Sequence, residues 1–156
     1  MTPVLWRPLP ARPYKARDAS TTSAMMSKVR SRDNRAEKIL RSLLWRMGYR
    51  FRLQSKELIG RPDIVFPRYR TVVFVDGDFW HGRALREGGD EGLRCVVRGE
   101  RFEWWREKLA KNVERDTQVV SGLRRSGWKV VRIWESVVLK NPEAAARLVE
   151  RALRRE

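Results

Sequence analysis

A single α/β domain, with a mixed sheet flanked by helices, is the fold class that this 156-residue sequence predicts. Three observations predict it. Apolar residues at helical spacing mark one helix early in the chain and a longer one later, with short apolar runs of strand length between and after them. The length is about that of one domain, and no segment repeats. With 42% hydrophobic residues and seven tryptophans the chain can bury a core, which excludes wholesale disorder.

The elements follow in chain order. The first 17 residues hold four of the seven prolines and four basic residues (Arg7, Arg12, Lys15, Arg17), with no acid. That composition predicts a flexible basic arm over 1–20 and one folded domain over 21–156. The arm is either a solvated tail or a segment that lies along a phosphate backbone. Asn34 followed by Glu37 has the form of a helix start, in which a capping side chain satisfies free backbone amides. Ala36, Ile39, Leu40, Leu43, Leu44 and Met47 continue at helical spacing, and Gly48 stops the run. Tyr49, Phe51 and Leu53 alternate with Arg50 and Arg52, the pattern of a half-buried strand. Ile64 to Phe66 predict a short apolar strand, Pro67 to Arg70 a turn, and Thr71 to Val75 a continuous strand of the fully buried kind.

Residues 77–101, rich in glycine and charge, are expected to form a loop long enough to carry function. Phe102 to Arg125 predicts a long helix with Trp105, Leu109, Val113, Val120 and Leu123 on its apolar stripe, ended by Gly127. Trp128 to Trp134 predicts another strand. Asn141-Pro142-Glu143 opens a last basic helix with a cap, a first-turn proline and a first-turn acid. The expected order is α-β-β-β-α-β-α.

Charge and cysteine content narrow the function. Thirty-five Lys and Arg outnumber nineteen Asp and Glu, for a formal charge of +16. So basic a body points to a polyanionic partner, nucleic acid first and an anionic membrane surface second. The basic residues are spread over several elements rather than one amphipathic face, which counts against the membrane. The one cysteine, Cys95, excludes an internal disulfide framework and a multi-cysteine zinc site. No apolar run approaches the length of a membrane span, and Met1 to Pro10 lacks a signal-peptide pattern, so the expectation is a soluble cytoplasmic protein.

Candidate chemistry lies at the strand ends. Asp63 opens one buried strand after Gly60-Arg61-Pro62, and Asp76 closes the next within Asp76-Gly77-Asp78-Phe79-Trp80-His81. A carboxylate at a strand terminus is fixed by the sheet yet faces a cleft, which suits a Mg²⁺ ligand; either aspartate could instead cap a turn. His81, the only histidine, is either structural or a general base near neutral pH, and in the second case a carboxylate should orient its ring. Asp116 sits in mid-helix near the buried side, an odd place for a surface acid, and Glu37 is similarly placed in the first helix. Phe79, Trp80, Trp104 and Trp105 either pack a core or wedge between base pairs, where unstacking is cheapest at a mismatch.

Six ordered blocks then converge. They are Met26 with Arg30-Ser31-Arg32-Asp33; Glu37; Gly60-Arg61-Pro62-Asp63-Ile64-Val65-Phe66; Phe79-Trp80-His81; Trp105-Arg106-Glu107-Lys108 through Asn112-x-Glu114-Arg115-Asp116; and Gly127-Trp128-x-Val130 through Trp134-Glu135. Over Ser23 to Glu135 the chain resembles the very-short-patch-repair (Vsr) endonucleases, strand-nicking enzymes with a restriction-endonuclease-like fold of the PD-(D/E)xK type. The resemblance implies that Asp63 and the backbone carbonyl of Val75 bind Mg²⁺, that His81 activates water, that Asp116 holds His81 and that Glu37 supports the site. It implies that Phe79, Trp80 and Trp105 intercalate from the major groove and that Met26 lies on the minor-groove side. The implied function is nicking of double-stranded DNA 5′ of a T:G mismatch by a nucleoid-associated monomer, with repair proteins as possible partners. Members of the family usually hold a structural zinc, but here Asp78, Arg83, Leu85 and Ser136 stand in that neighbourhood, so no zinc is expected. Two alternatives remain: a nuclease of the same fold that cuts unmismatched or modified duplex in a restriction or defence role, and a non-catalytic DNA-binding module.

Overall fold

The structure is a computed structural model that describes residues 34–154. The arm over 1–20, the boundary at 21 and Met26 lie outside the described residues. The elements are α1 (Arg35–Arg46), β1 (Arg52–Leu53), β2 (Ile64–Phe66), β3 (Thr71–Asp76), α2 (Arg83–Arg94), α3 (Phe102–Arg125), β4 (Lys129–Trp134), α4 (Glu135–Lys140) and α5 (Pro142–Arg154). The helix starts form as local chemistry dictates. Asn34 Oδ1 accepts the Glu37 amide at 2.8 Å to cap α1, and Asn141 Oδ1 accepts the Ala144 amide at 3.0 Å to cap α5. Gly48, at φ +92°, takes the left-handed conformation that turns the chain out of α1.

The four strands form one sheet in the order β1-β2-β3-β4. β2 runs antiparallel to both β1 and β3, whereas β3 and β4 pair in parallel from Thr71↔Lys129 to Asp76↔Trp134. A parallel pair needs a long crossover, which α2 and α3 supply. The sheet is covered on both faces. Phe66, Val73, Val75, Val131 and Ile133 pack on Leu40 and Leu44 of α1, Val138 of α4, and Ala145, Val149 and Leu153 of α5. Val65, Val72, Phe74 and Val130 pack on Val120 and Leu123 of α3. With cover on both sides, all six residues of β3 are buried, so an unbroken apolar run was the right signal there.

Gly60 shows how the motif before β2 is fixed. Its φ is +78°, and a Cβ at this position would run into the side chain of Val119 on α3. Only glycine satisfies both the conformation and the close approach.

Three expectations need correction. The alternation from Tyr49 to Leu53 does not make a five-residue strand. Only Arg52 and Leu53 pair with β2, and both are exposed. Tyr49 and Phe51 instead pack edge-on to Phe66, and Tyr49 also meets Tyr69, so their spacing records aromatic packing rather than a ladder. The segment 77–101 is not all loop, since α2 lies inside it, kinked at Gly89 (φ 59°, ψ −150°). Its glycines and charges hide Leu85 and Leu93, which join Val97, Phe102, Leu109, Phe79 and Trp105 in a small separate core. Finally, α4 follows directly on β4. The order is therefore α-β-β-β-α-α-β-α-α.

Candidate active site

Strand direction gathers the site. Because β2 is antiparallel to β3, the residue before β2 falls beside the end of β3: Asp63 Oδ2 accepts the Val75 amide at 2.8 Å. Burial pushes the Asp63 carboxyl up from its ordinary 3.8 to about 6; the Val75 hydrogen bond opposes this and the nearby charge of Asp76 adds to it. Asp63 forms no ion pair among the described residues. A carboxylate that is costly to ionise and forms no ion pair among the described residues, next to a main-chain carbonyl at Val75, is a donor set of hard oxygens. It fits Mg²⁺, which takes few protein ligands and keeps several waters. Among the described residues no group of three or more His, Cys, Asp or Glu side chains could hold a metal together.

Asp76, the other strand-end candidate, is differently placed. Its side chain faces that of Arg132 on the neighbouring parallel strand. Arg132 Nε donates to Asp76 Oδ2 at 2.6 Å and Nη2 to Oδ1 at 2.7 Å. Both side chains are 3% exposed. A guanidinium fork thus occupies both oxygens of Asp76, so this aspartate is paired rather than offered to a cation.

His81 lies just beyond. Its Nδ1 is 2.7 Å from Asp116 Oδ2, and its Nε2 is 3.6 Å from Asp76 Oδ1. Asp116 belongs to the buried stripe of α3, with Leu109, Val120 and Leu123, which explains an acid in mid-helix. Burial works to raise its pKa. The hydrogen bond to His81 and the charges of Arg132, His81 and Arg86 outweigh that and hold the carboxyl below its ordinary value. Asp116 is therefore an ionised acceptor, and His81 Nδ1 must carry the hydrogen between them. The backbone here is also held: Asn112 Nδ2 donates to the Trp80 carbonyl at 3.0 Å and Arg86 Nε to the His81 carbonyl at 2.9 Å.

Glu37 is buried at the start of α1 and pairs with Arg41 at 2.6 Å. It joins the site indirectly, since the charge of Arg41 acts on Asp63. Asp78, Arg83 and Ser136 bond to one another where the resemblance would place zinc ligands. Arg83 Nη1 and Ser136 Oγ both donate to Asp78 Oδ1 at 2.6 Å, and the Ser136 amide donates to Oδ2 at 3.1 Å. This ties the segment before Phe79-Trp80-His81 to the starts of α2 and α4.

Next to His81, Phe79, Trp80 and Trp105 meet edge-to-face with centroids 5.0–5.8 Å apart. Trp104 extends this cluster at 4.7 Å from Trp105 and is 54% exposed, a side chain that no motif singled out as the outer one. Lys108 Nζ stands 4.6 Å from the Trp104 ring and 5.4 Å from that of Trp80. Asp63, Val75, His81 and Asp116 thus come together, and so do Phe79, Trp80 and Trp105; Met26 lies outside the described residues. Sequence reasoning missed Arg132 and Arg86. A signal for Arg132 existed, because a charge inside Val130-Val131-Arg132-Ile133 must find a buried partner.

Comparison with known proteins shows the family. The family described as DNA mismatch endonuclease Vsr matches residues 15–87. The chain is 42% identical over 118 residues to the DNA mismatch endonuclease Vsr of Escherichia coli, covering 76% of this chain and 71% of that protein. It is 43% identical over 111 residues to the Type II nicking enzyme V.XorIIP of Xanthomonas oryzae pv. oryzae (71% and 76% covered). It is 36% identical over 129 residues to the Type II nicking enzyme V.NmeDIP of Neisseria meningitidis serogroup C (83% of each).

Proposed function

The chain belongs to the Vsr family and is a DNA-nicking endonuclease of restriction-endonuclease-like fold, and from that premise we propose that it cuts one strand of duplex DNA 5′ of a T:G mismatch in a Mg²⁺-dependent hydrolysis. The observation that carries the reading is one imidazole, held at Nδ1 by an ionised Asp116, near an Asp63 carboxyl that burial makes costly to ionise. Asp63 and the Val75 carbonyl would hold Mg²⁺, which supplies positive charge against the scissile phosphate. His81 Nε2 takes a proton from the attacking water as its oxygen bonds to phosphorus and the phosphorus–oxygen bond to the sugar breaks. Asp116 keeps the hydrogen on Nδ1 and stabilises the charge that the ring acquires. Glu37, through Arg41, steadies the Asp63 side. All these groups come from one chain, so a monomer suffices.

Selectivity for the mismatch rests on the aromatic cluster. Phe79, Trp80 and Trp105, with Trp104 at their outer edge, present uncharged faces to the stacked bases, and prying a base step apart costs least where pairing is already poor. The excess of Lys and Arg binds the phosphates without reading sequence. No described helix is long and apolar enough to cross a membrane, and we place the enzyme in the cytoplasm, on the nucleoid.

A second reading, nicking of unmismatched or modified duplex in a restriction or defence role, draws support from relatives named Type II nicking enzymes. A nicking assay on T:G and matched T:A duplexes, with Mg²⁺ or EDTA and with His81→Ala alongside, separates the two. The first reading expects T:G cleavage that needs both Mg²⁺ and His81. Equal nicking of both duplexes would select the second.

A further inference from the structure

Two carboxylates flank the only imidazole of the chain, one at each nitrogen, and they make competing demands on it. Asp116, ionised and 2.7 Å from Nδ1, requires a hydrogen there. Asp76 Oδ1 is 3.6 Å from Nε2, and its residue is 2% exposed, too buried to be satisfied by solvent. Left to itself, Asp76 would draw a hydrogen onto Nε2. A ring with hydrogens on both nitrogens has no lone pair and cannot accept a proton from water.

Arg132 removes the second demand. Its Nε and Nη2 take both oxygens of Asp76 at 2.6 and 2.7 Å, and the same Nη2 lies 3.2 Å from Asp116 Oδ1 and 3.3 Å from His81 Nδ1; its two hydrogens serve the two carboxylates, so Nδ1 keeps its own hydrogen for Asp116. The Phe74 ring, 4.7 Å from the guanidinium carbon, packs beside it. The other charged groups around the ring are Arg86 on α2, whose Nη2 is 3.2 Å from Asp116 Oδ2, and Asp63 before β2. Neither reaches Asp76 by a hydrogen bond among the described residues, so neither can do this work. A lysine could offer Asp76 a point charge but not a fork that meets both oxygens at once.

We infer that Arg132 is a positioning residue: by engaging both oxygens of Asp76 it reserves His81 Nε2 as a proton acceptor and selects the Nδ1–H tautomer. The inference rests on the reading of His81 as general base, but it concerns a property of the ring that can be observed without catalysis.

A single histidine makes that observation clean. In the ¹⁵N-labelled full chain, long-range imidazole correlations report which ring nitrogen carries hydrogen. The native protein in EDTA should give a hydrogen on Nδ1 and a free Nε2. In Arg132→Met, Nε2 should gain hydrogen. Nicking of the T:G duplex by this variant should lose about 10- to 100-fold in kcat, with KM within about 3-fold of native. Arg132→Lys should fall between. Arg132→Met leaves a buried charge unpaired and could fail to fold, so Asp76→Asn/Arg132→Met, which removes both charges, is the companion. It should return the free Nε2 and recover kcat relative to the single variant. A native-like ring spectrum in Arg132→Met, or an unrestored one in the double variant, would overturn the inference. Undiminished nicking by His81→Ala would instead overturn the general-base reading and leave the spectra to judge Arg132 separately.

Discussion

Replacing Asp63 with asparagine should make the metal-free protein more stable while abolishing cleavage. The carboxyl is pushed from 3.8 to about 6, chiefly by burial and further by the charge of Asp76, against the Val75 hydrogen bond. A folded-state pKa above the unfolded one means that the native state holds the proton more tightly, so ionising Asp63 works against folding. The native protein loses this part of its stability as pH rises from about 4 through about 6, and the loss is complete above that. At about 1.36 kcal/mol per pH unit, the rise corresponds to at most about 3 kcal/mol. Asparagine keeps an oxygen for the Val75 amide and has no charge to bury.

Urea unfolding in EDTA should therefore find Asp63→Asn about 1–3 kcal/mol more stable than the native protein at about pH 8, with the difference closing by about pH 4. Adding Mg²⁺ at the higher pH should narrow the gap, because the ion stabilises only the protein that binds it. If the variant is no more stable at high pH, or if the gap is the same at both ends, Asp63 is not a half-buried carboxylate that is costly to ionise. The argument for a cation at that place then fails.

Other outcomes follow from the same geometry. Asp116→Asn, which no longer dictates the His81 tautomer, should lower kcat by about 10²- to 10⁴-fold while fluorescence anisotropy finds DNA binding nearly intact; a matching loss of binding would mean that Asp116 only supports the fold. Trp80→Ala should weaken binding to T:G duplex by about 1–3 kcal/mol and narrow its advantage over T:A, and an unchanged preference would remove the wedge from the account. Affinity for duplex should fall with salt at a slope near −0.9 in log K per phosphate contacted, whereas a flat response would refute backbone binding by the basic residues. Gly60→Ala should cost about 1–3 kcal/mol in thermal or urea unfolding, because the φ of +78° and the Val119 side chain both oppose a Cβ; a neutral result would show that α3 yields easily there.

Much of the architecture was legible along the chain because its causes are local. Asn34 and Glu37 mark the start of α1, Asn141-Pro142-Glu143 that of α5, and the spacing from Phe102 to Arg125 gives α3 its length. The unbroken run at β3 announced cover on both faces. Where local pattern failed, tertiary contact had overridden it. Tyr49 and Phe51 alternate like a strand but serve an aromatic cluster, and α2 is hidden among glycines whose neighbours Leu85 and Leu93 acquire a core only when Phe102 and Leu109 fold against them. The short α4 lacked the length that makes a helical period readable.

The candidate site divides in the same way. By itself the sequence determined the chemical vocabulary: Asp63 and Asp76 at strand ends, one histidine, an acid in mid-helix and aromatics beside a charged segment. Position at a strand end did not distinguish the two aspartates; only the resemblance carried by Gly60-Arg61-Pro62-Asp63 singled out Asp63. Tertiary structure supplied the physical difference by pairing β3 with β4 in parallel, which sets Arg132 across Asp76, 56 residues away, while Asp63 forms no ion pair among the described residues. The reason is physical: helix caps and apolar periods act between near neighbours in sequence, whereas a buried charge is satisfied through space by whichever group the fold brings to it.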